Sequence, residues 1–348
     1  MAELKPITVI GGGLAGLVLG IGLRRCGVPV TIWEAGHYPR HRVCGEFISG
    51  NGVKVIERLG LLDSFRRAGA ISAHTVMFIR GASPAPIRRL TMPALCLSRY
   101  TLDALLAEHF QQNGGELRAG LRWSGDGQSA GLVYASGRRV QPPGQASRWF
   151  GLKAHVAAKS EVKLEADLEM HLSADGYVGV NRLGDGTVNV CGLFRARDDS
   201  RQPSKEERLR GQPGSLLRKR LDGAKFDAQS FCSVAGLALE PRRAAEQGEC
   251  RVGDALTMTP PVTGNGMSMA FESAEIAGEP LVAYSRGEMD WAGARRQIGE
   301  RCDHAFAHRL AWARRLQGML MSPFLQGRLG WTLMHSEWLW QFLFKATR

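Results

Sequence analysis

The stretch ITVIGGGLAGLVLGIGLRR, residues 7–25, decides the fold. Ile7 to Ile10 are a β-branched run that stops at Gly11, and Leu17, Leu19, Ile21 and Leu23 then carry an apolar, helix-like segment to Arg25. The pattern reads as strand, glycine turn and helix. Its spacing is GxGxxG: Gly11 permits the tight turn, Gly13 lets the backbone approach a pyrophosphate, and Gly16 allows close packing of helix on strand. The helix N-terminus offers free N–H groups and the positive end of its dipole to phosphates.

A second apolar run, VPVTIWE (28–34), follows and ends in Glu34, 18 residues past Gly16. A carboxylate there accepts the hydroxyls of an adenosine ribose and repels a 2′-phosphate, so the unit suits FAD or NAD over NADP. The spacing does not separate the first two.

A second motif lies late in the chain, where ECRVGDAL (249–256) reads as a strand ending at Gly253-Asp254. A proline-containing loop follows, and Gly264-Asn265-Gly266-Met267 opens a long apolar helix. Backbone N–H groups at such a helix start stabilise negative charge on a reduced flavin ring, and Asp254 is placed to bind a ribityl hydroxyl.

Composition excludes several classes. The 348 residues are 44% hydrophobic and 22% charged, as expected of a globular chain with a large core. The net charge of +12 comes from arginines scattered in pairs, such as Arg24-Arg25 and Arg314-Arg315, with no basic run interleaved with aromatics. That is a solvated basic surface rather than a nucleic-acid footprint. Seven cysteines without a CxxC suggest neither a disulfide framework nor a zinc site, and no metal is expected. With no uncharged apolar run of about 18 residues and no secretory pattern at the start, a cytoplasmic address is expected.

Together, GGGLAG…WE and GDALTMTPPVTGNGMSMAFESA resemble the flavoprotein group that contains para-hydroxybenzoate-hydroxylase-type monooxygenases, flavin halogenases and geranylgeranyl reductases. The resemblance covers residues 5 to about 290 and implies an α/β fold. Its parts are a Rossmann-type FAD-binding domain, an inserted antiparallel β-sheet substrate domain and a C-terminal helical tail. It implies FAD held by Gly11, Gly13, Leu14, Ala15, Gly16 and Glu34 from the first unit, and by Gly253, Asp254, Pro261, Gly264, Asn265, Gly266 and Met267 from the late motif. Arg99, in LSRYTLDALLAEHF, matches the family arginine that opens a helix beside the cofactor, and Arg42 matches another FAD-contacting arginine. NAD(P)H is the implied transient electron donor.

The family's middle motif, an Asp-Gly after a strand, has no full counterpart. LVYASGRRVQPPG offers Ser136-Gly137 without the carboxylate, which places the usual reaction with NAD(P)H in doubt rather than FAD binding. Asp126-Gly127 is the alternative and follows no convincing strand.

The FAD-binding domain is assigned to residues 1–70, 98–147 and 228–290, the substrate domain to 71–97 and 148–227, and the helical tail to 291–348. Strands are expected at 73–80, around ALCLSR (94–99), and at 148–156, 163–172, 176–183 and 187–194, with 198–224 a polar, helix-prone and exposed connector. On alternating strands Tyr177, Asn189 and Cys191 face a pocket if that face is the flavin side, and they are core residues otherwise. His155 and His171 read as satisfied or surface histidines. In the tail, Trp331, Trp338, Trp340, Phe342 and Phe344 mark either a helix packed on the FAD domain, the favoured reading, or a membrane-surface segment.

The segment RVCGEFISG (42–50) passes beside the flavin on this reading. Cys44 has no second soft ligand at useful spacing and no hydrolytic partner. It is expected to shape the flavin face, with Glu46 orienting substrate or a proton, and Tyr177 and Asn189 complete the catalytic candidates. The expected function is an FAD-dependent monooxygenase of secondary metabolism, acting on a hydrophobic aromatic or long-chain natural-product intermediate. Alternatives are a geranylgeranyl-reductase-like enzyme saturating isoprenoid double bonds, favoured by Cys44-Gly45-Glu46, and a flavin-binding partner without turnover. A separate electron-donor protein is compatible with either enzyme.

Overall fold

The computed structural model describes residues 3–126, 129–138, 149–196, 203–237, 239, 242–322 and 335–347. Gly127 and Trp331 lie outside them.

Two sheets organise the molecule. The first is parallel, in the order β14 (Cys250–Arg251), β8 (Leu132–Tyr134), β1 (Ile7–Ile10), β2 (Val30–Glu34) and β7 (Glu116–Ala119). Helix α1 (Leu14–Arg25) follows β1, and Ile7, Val9, Leu17, Ile21 and Ile32 are shielded from solvent. Because a parallel sheet is covered on both faces, its strands read as continuous apolar runs rather than alternating ones.

The strand expected before the middle motif is β8. Ser136-Gly137 therefore follows a strand that pairs with β1, whereas Asp126 lies on no strand.

The second sheet runs β13 (Cys232–Val234), β9 (Trp149–Val156), β12 (Val188–Arg195), β11 (Gly176–Arg182), β10 (Leu168–Ser173), β4 (Ile71–Arg80), β6 (Arg88–Cys96) and β3 (Phe47–Ile48), with β5 (Ser83–Pro84) paired to β4. It is antiparallel except where β10 meets β4 in parallel, the seam that joins its two chain segments. Residues 163–167, expected in a strand, precede β10 and lie outside it.

One expectation needs correction. Residues 203–224, the described part of that segment, are not simply an exposed connector: α5 (Lys205–Arg210), α6 (Leu216–Arg220) and the residue after it bury Leu209, Leu217 and Leu221 against Val156, Val178 and Val190. The sheet's outer face is apolar and needs a cover, and three leucines spaced through a polar segment supply it.

Helices α2 (Asn51–Arg58) and α3 (Leu62–Arg67) follow β3, and α4 (Arg99–Gln112) follows β6. Ser98 caps α4, its side-chain oxygen accepting the Thr101 N–H at 3.3 Å. Helix α7 (Gly266–Ser285) packs against α1, α2 and α8 (Trp291–Leu320), which carries the tail across the FAD-motif half. The last helix, α9 (Glu337–Ala346), packs on α8, where Phe342 meets Trp312 edge-on at 5.1 Å, and also reaches β4, where Trp340 meets Phe78 edge-on at 5.7 Å. It therefore covers part of the second sheet as well as packing on the helical side. Among the described residues, no helix is long and apolar enough to cross a membrane.

Candidate cofactor cleft and apolar cavity

The three motif glycines do different physical work. Gly11 sits at φ 109, a conformation that favours glycine, and donates its N–H to the Trp33 carbonyl at 2.7 Å. At Gly16 a side chain would strike the Gly11 carbonyl and the Ala135 methyl, so its absence lets α1 close on β1. Beside Gly13, by contrast, a Cβ would meet nothing within 4 Å. Gly13 is also the N-cap of α1 and supplies no side-chain cap, so the first-turn N–H groups remain available to an anion.

Glu34 is buried at the end of β2 and faces this turn. Its Oε2 accepts the Gly12 N–H at 2.9 Å, and Oε1 accepts the Gly36 N–H at 2.8 Å and pairs with Arg40 at 2.8 Å. Burial alone would raise its pKa, but the Gly36 N–H and Arg40 outweigh that and hold it below the usual carboxylate range. A carboxylate has about four acceptor positions, so Oε2 keeps room for a hydroxyl. Arg42 stands 3.9 Å from Glu34 and 3.6 Å from Asp103, and the buried Asp103 in turn grips Arg99 through two bonds of 2.7 and 2.8 Å.

The late motif reaches the same cleft. A Cβ at Gly253 would lie 2.8 Å from the Ala15 methyl and 3.8 Å from that of Ala270, so this turn is wedged between the starts of α1 and α7. Asp254 is open to solvent there but walled by protein, within electrostatic reach of Arg99 and Arg138, and has no hydrogen-bond partner among the described residues. Enclosure raises its pKa to about 6. Pro261 begins a short 3₁₀ turn, and Gly264 follows it at φ 65, where a side chain would collide with the Phe47 ring. Asn265 caps α7 without a side-chain cap bond and gives its amide to the Thr347 carbonyl instead. Gly266 borders open space, and Met267 is buried.

The loop of Cys44 and Glu46 joins the two sheets. Glu46 takes a left-handed backbone, φ 55, and is fully buried. Its Oε1 accepts the Arg99 N–H at 2.9 Å and pairs with Lys153 at 3.1 Å, while Oε2 lies 2.6 Å from His155 Nε2. Despite burial, His155 and Lys153 hold its carboxyl below the ordinary value. These bonds stabilise a backbone conformation that costs a non-glycine residue about 1–3 kcal/mol.

His41, Glu46 and His155 bring their ligand atoms within 4.8 Å of one another, a spacing compatible with a metal. Lys153 Nζ, however, lies 3.1 Å from both His41 Nδ1 and Glu46 Oε1, so an ammonium supplies the positive charge of the cluster. Burial pushes the Cys44 thiol up, away from thiolate chemistry, with Arg99 opposing.

Strand alternation places Tyr177, Asn181, Asn189, Cys191, Lys153 and His155 on one face of the second sheet, as their register pairs require. Asn189 is fully buried and donates to the Cys44 carbonyl at 3.2 Å and to Asn181 Oδ1 at 3.3 Å. Tyr177 packs among Leu172, Leu193 and Val262. His171 points to the other face, 3.1 Å from Glu169.

Between this face, the 262–264 turn and α9 lies an apolar cavity of about 100 Å³, walled by Phe47, Phe78, Met170, Trp340 and Phe344. Gly45 and Asn181 border it, whereas Cys44, Glu46, Tyr177 and Asn189 do not. Sequence reasoning missed Lys153 and Asn181. A lysine inside the apolar strand WFGLKAHV, two residues before His155, was the available signal for the first.

Residues 5–143 match the family model described as an FAD binding domain. These residues are thus similar in sequence to an FAD-binding domain. The geometry of the cleft fits that cofactor: an open cradle at Gly13, uncapped starts of α1 and α7, and at their junction an Asp254 with no hydrogen-bond partner among the described residues.

The chain is 34% identical over 94 residues to 3-amino-4-hydroxybenzoate 2-monooxygenase PtnB3 of Streptomyces platensis, covering 27% of this chain and 24% of that protein. It is 27% identical over 322 residues to the rifampicin monooxygenase of Streptomyces venezuelae, covering 82% and 65% of the two chains. The matches thus span about a quarter of the first relative and under two thirds of the second. PqsL of P. aeruginosa shares the fold, with a TM-score of 0.69 at 17% identity over 91% of this chain and 96% of that one.

Proposed function

We propose that the protein is an FAD-dependent oxidoreductase of the aromatic-hydroxylase monooxygenase type, with NAD(P)H as electron donor. The observation that carries this reading is the continuity of the cofactor cradle with the apolar cavity. Gly264 ends the loop that starts α7, and the same turn borders the cavity. Both sequence relatives, matched over part of their length, are proteins named as monooxygenases, which supports the assignment. On this reading the parallel-sheet region is the cofactor domain and the second sheet is the substrate domain, which takes in β3 and β13 from within the segments 1–70 and 228–290 expected for the cofactor domain.

The residues take defined roles. Gly13 and the first turn of α1 hold the pyrophosphate, Glu34 Oε2 holds the adenosine ribose, and Asp254 takes a ribityl hydroxyl. Asp103 aligns Arg99 and Arg42 along the same groove, and the uncapped start of α7 faces the flavin ring. When bound, FAD supplies the redox chemistry that activates oxygen. Phe47, Phe78, Trp340 and Phe344 keep water from the reacting face, which protects a reactive oxygenating species from wasteful breakdown. Glu46, Lys153 and His155 act as positioning residues that fix the Cys44-Gly45 turn rather than touching substrate.

Incubation with FAD, NADPH and a panel of phenols and aryl ketones under ¹⁸O₂ tests this. Incorporation of labelled oxygen into product supports the reading. A protein that binds FAD and is reduced by NADPH, yet leaves every label in water or peroxide and instead saturates an alkene, contradicts it.

A further inference from the structure

The cavity wall is largely apolar, and the one charged residue on it among those described, Glu169, turns its carboxylate away to Arg220 at 2.7 Å and His171 at 3.1 Å. Among the described residues no lysine or arginine lines it. Of the polar side chains on the wall, Thr263 and Thr347 donate their hydroxyls to the carbonyls of Pro260 and Leu343, which leaves the Asn181 amide. Asn181 is 3% exposed, borders the cavity, and its Nδ2 lacks a hydrogen-bond partner.

The orientation of that amide is fixed by its neighbours. Asn189 Nδ2 donates both to the Cys44 carbonyl at 3.2 Å and to Asn181 Oδ1 at 3.3 Å. Turning Asn189 over would set its carbonyl against that of Cys44, so Asn181 presents oxygen to Asn189 and must direct its N–H groups elsewhere. The Cys96 sulfur lies within reach of Asn181 but is a weak acceptor, and it can engage only one of two N–H bonds. A buried donor kept without a strong partner is costly unless a ligand supplies the acceptor.

We propose that Asn181 is the specificity-determining anchor of the cavity, donating a hydrogen bond to the single acceptor of a neutral, planar and otherwise apolar substrate. The inference rests on reading the cavity as the substrate site. It names the class: an aryl ketone, quinone or phenol fits, with ring faces against Phe47, Phe78, Trp340 and Phe344. An aromatic carboxylate does not fit, because its charge would be desolvated with no cation on the wall. The volume of about 100 Å³ admits about a single ring while α9 is seated.

The test uses the FAD-loaded full chain and calorimetric binding of three probes: acetophenone, α-methylstyrene, which replaces its carbonyl by an isosteric alkene, and benzoate. The wild type is expected to prefer acetophenone over α-methylstyrene by about tenfold, the worth of one net hydrogen bond, and to bind benzoate more weakly still. Asn181→Leu should remove that preference by losing acetophenone affinity while keeping α-methylstyrene, which also reports an intact cavity. Asn181→Asp, which keeps the oxygen that Asn189 needs but replaces the donor by a carboxylate, should disfavour acetophenone below α-methylstyrene if the leucine variant does not fold.

Persistence of the tenfold preference in either variant overturns the proposal. So does tightest binding of benzoate, or failure of the wild type to bind either neutral probe. Flavin content is read separately by absorbance: loss of FAD with the probe preference intact sinks the cofactor reading and leaves Asn181 standing.

Discussion

Glu46 Oε1 lies 3.1 Å from Lys153 Nζ, and both side chains are fully buried. One immediately precedes β3 and the other lies on β9, near opposite ends of the second sheet's strand order, so this pair ties those two ends together. Removing one partner leaves a charge without compensation in a poor solvent. Glu46→Gln or Lys153→Met is expected to cost about 3–5 kcal/mol in denaturant unfolding, and the double variant to cost less than the sum. Additive losses would show that the pair does not act as a unit.

Acid should unlock this cluster. Glu46 has its pKa lowered in the folded state, so its contribution to stability is complete above the unfolded value of about 4.3 and is lost as pH falls through the lower folded value. Melting temperature is expected to fall below about pH 4.3, with Glu46→Gln showing a shallower acid slope. An unchanged slope in the variant would place the acid sensitivity elsewhere.

Asp254 has the opposite sign. Its pKa is raised from 3.8 to about 6 by enclosure, so rising pH through that window ionises the unfolded chain first and lowers stability. Asp254→Asn should therefore melt no lower than wild type and lose the pH dependence between those values. It should also weaken FAD by about tenfold through loss of a charged acceptor. Wild-type FAD affinity in this variant would remove Asp254 from the cofactor site.

Two neighbouring glycines make a sharper contrast. Gly16→Ala drives a methyl into the Gly11 carbonyl and should destabilise the fold by about 1–3 kcal/mol. Gly13→Ala meets nothing within 4 Å and should melt as wild type while losing FAD affinity. Calorimetric melting and flavin titration of both variants separate packing from binding, and equal effects on both readouts would undo the distinction.

Local patterns carried much of this into the sequence. The glycine spacing and Glu34 were legible because they encode backbone geometry within one βαβ unit, and the Gly12 N–H to Glu34 bond closes that unit. Alternation in GYVGVNR and TVNVCGLF was enough to put Tyr177, Asn189 and Cys191 on one face. Which of them border the cavity was not legible, because that depends on α9 arriving from the far end of the chain to set Trp340 and Phe344 opposite Phe78.

The parallel seam of β10 and β4 joins segments about ninety residues apart with no turn to mark it. Burial of Leu209, Leu217 and Leu221 was hidden for a related reason: the surrounding residues are polar, and only the apolar outer face of the sheet reveals what they cover.

The central claim is that the turn at Gly13 and the start of α7 together hold FAD. Its most direct test is equilibrium titration of flavin-free full-length protein with FAD, followed by flavin fluorescence, with Gly13→Val measured beside the wild type. The expected result is saturable, equimolar binding by the wild type and its loss in a variant that melts normally. No saturable uptake by the wild type, or equal uptake by Gly13→Val, would contradict the account.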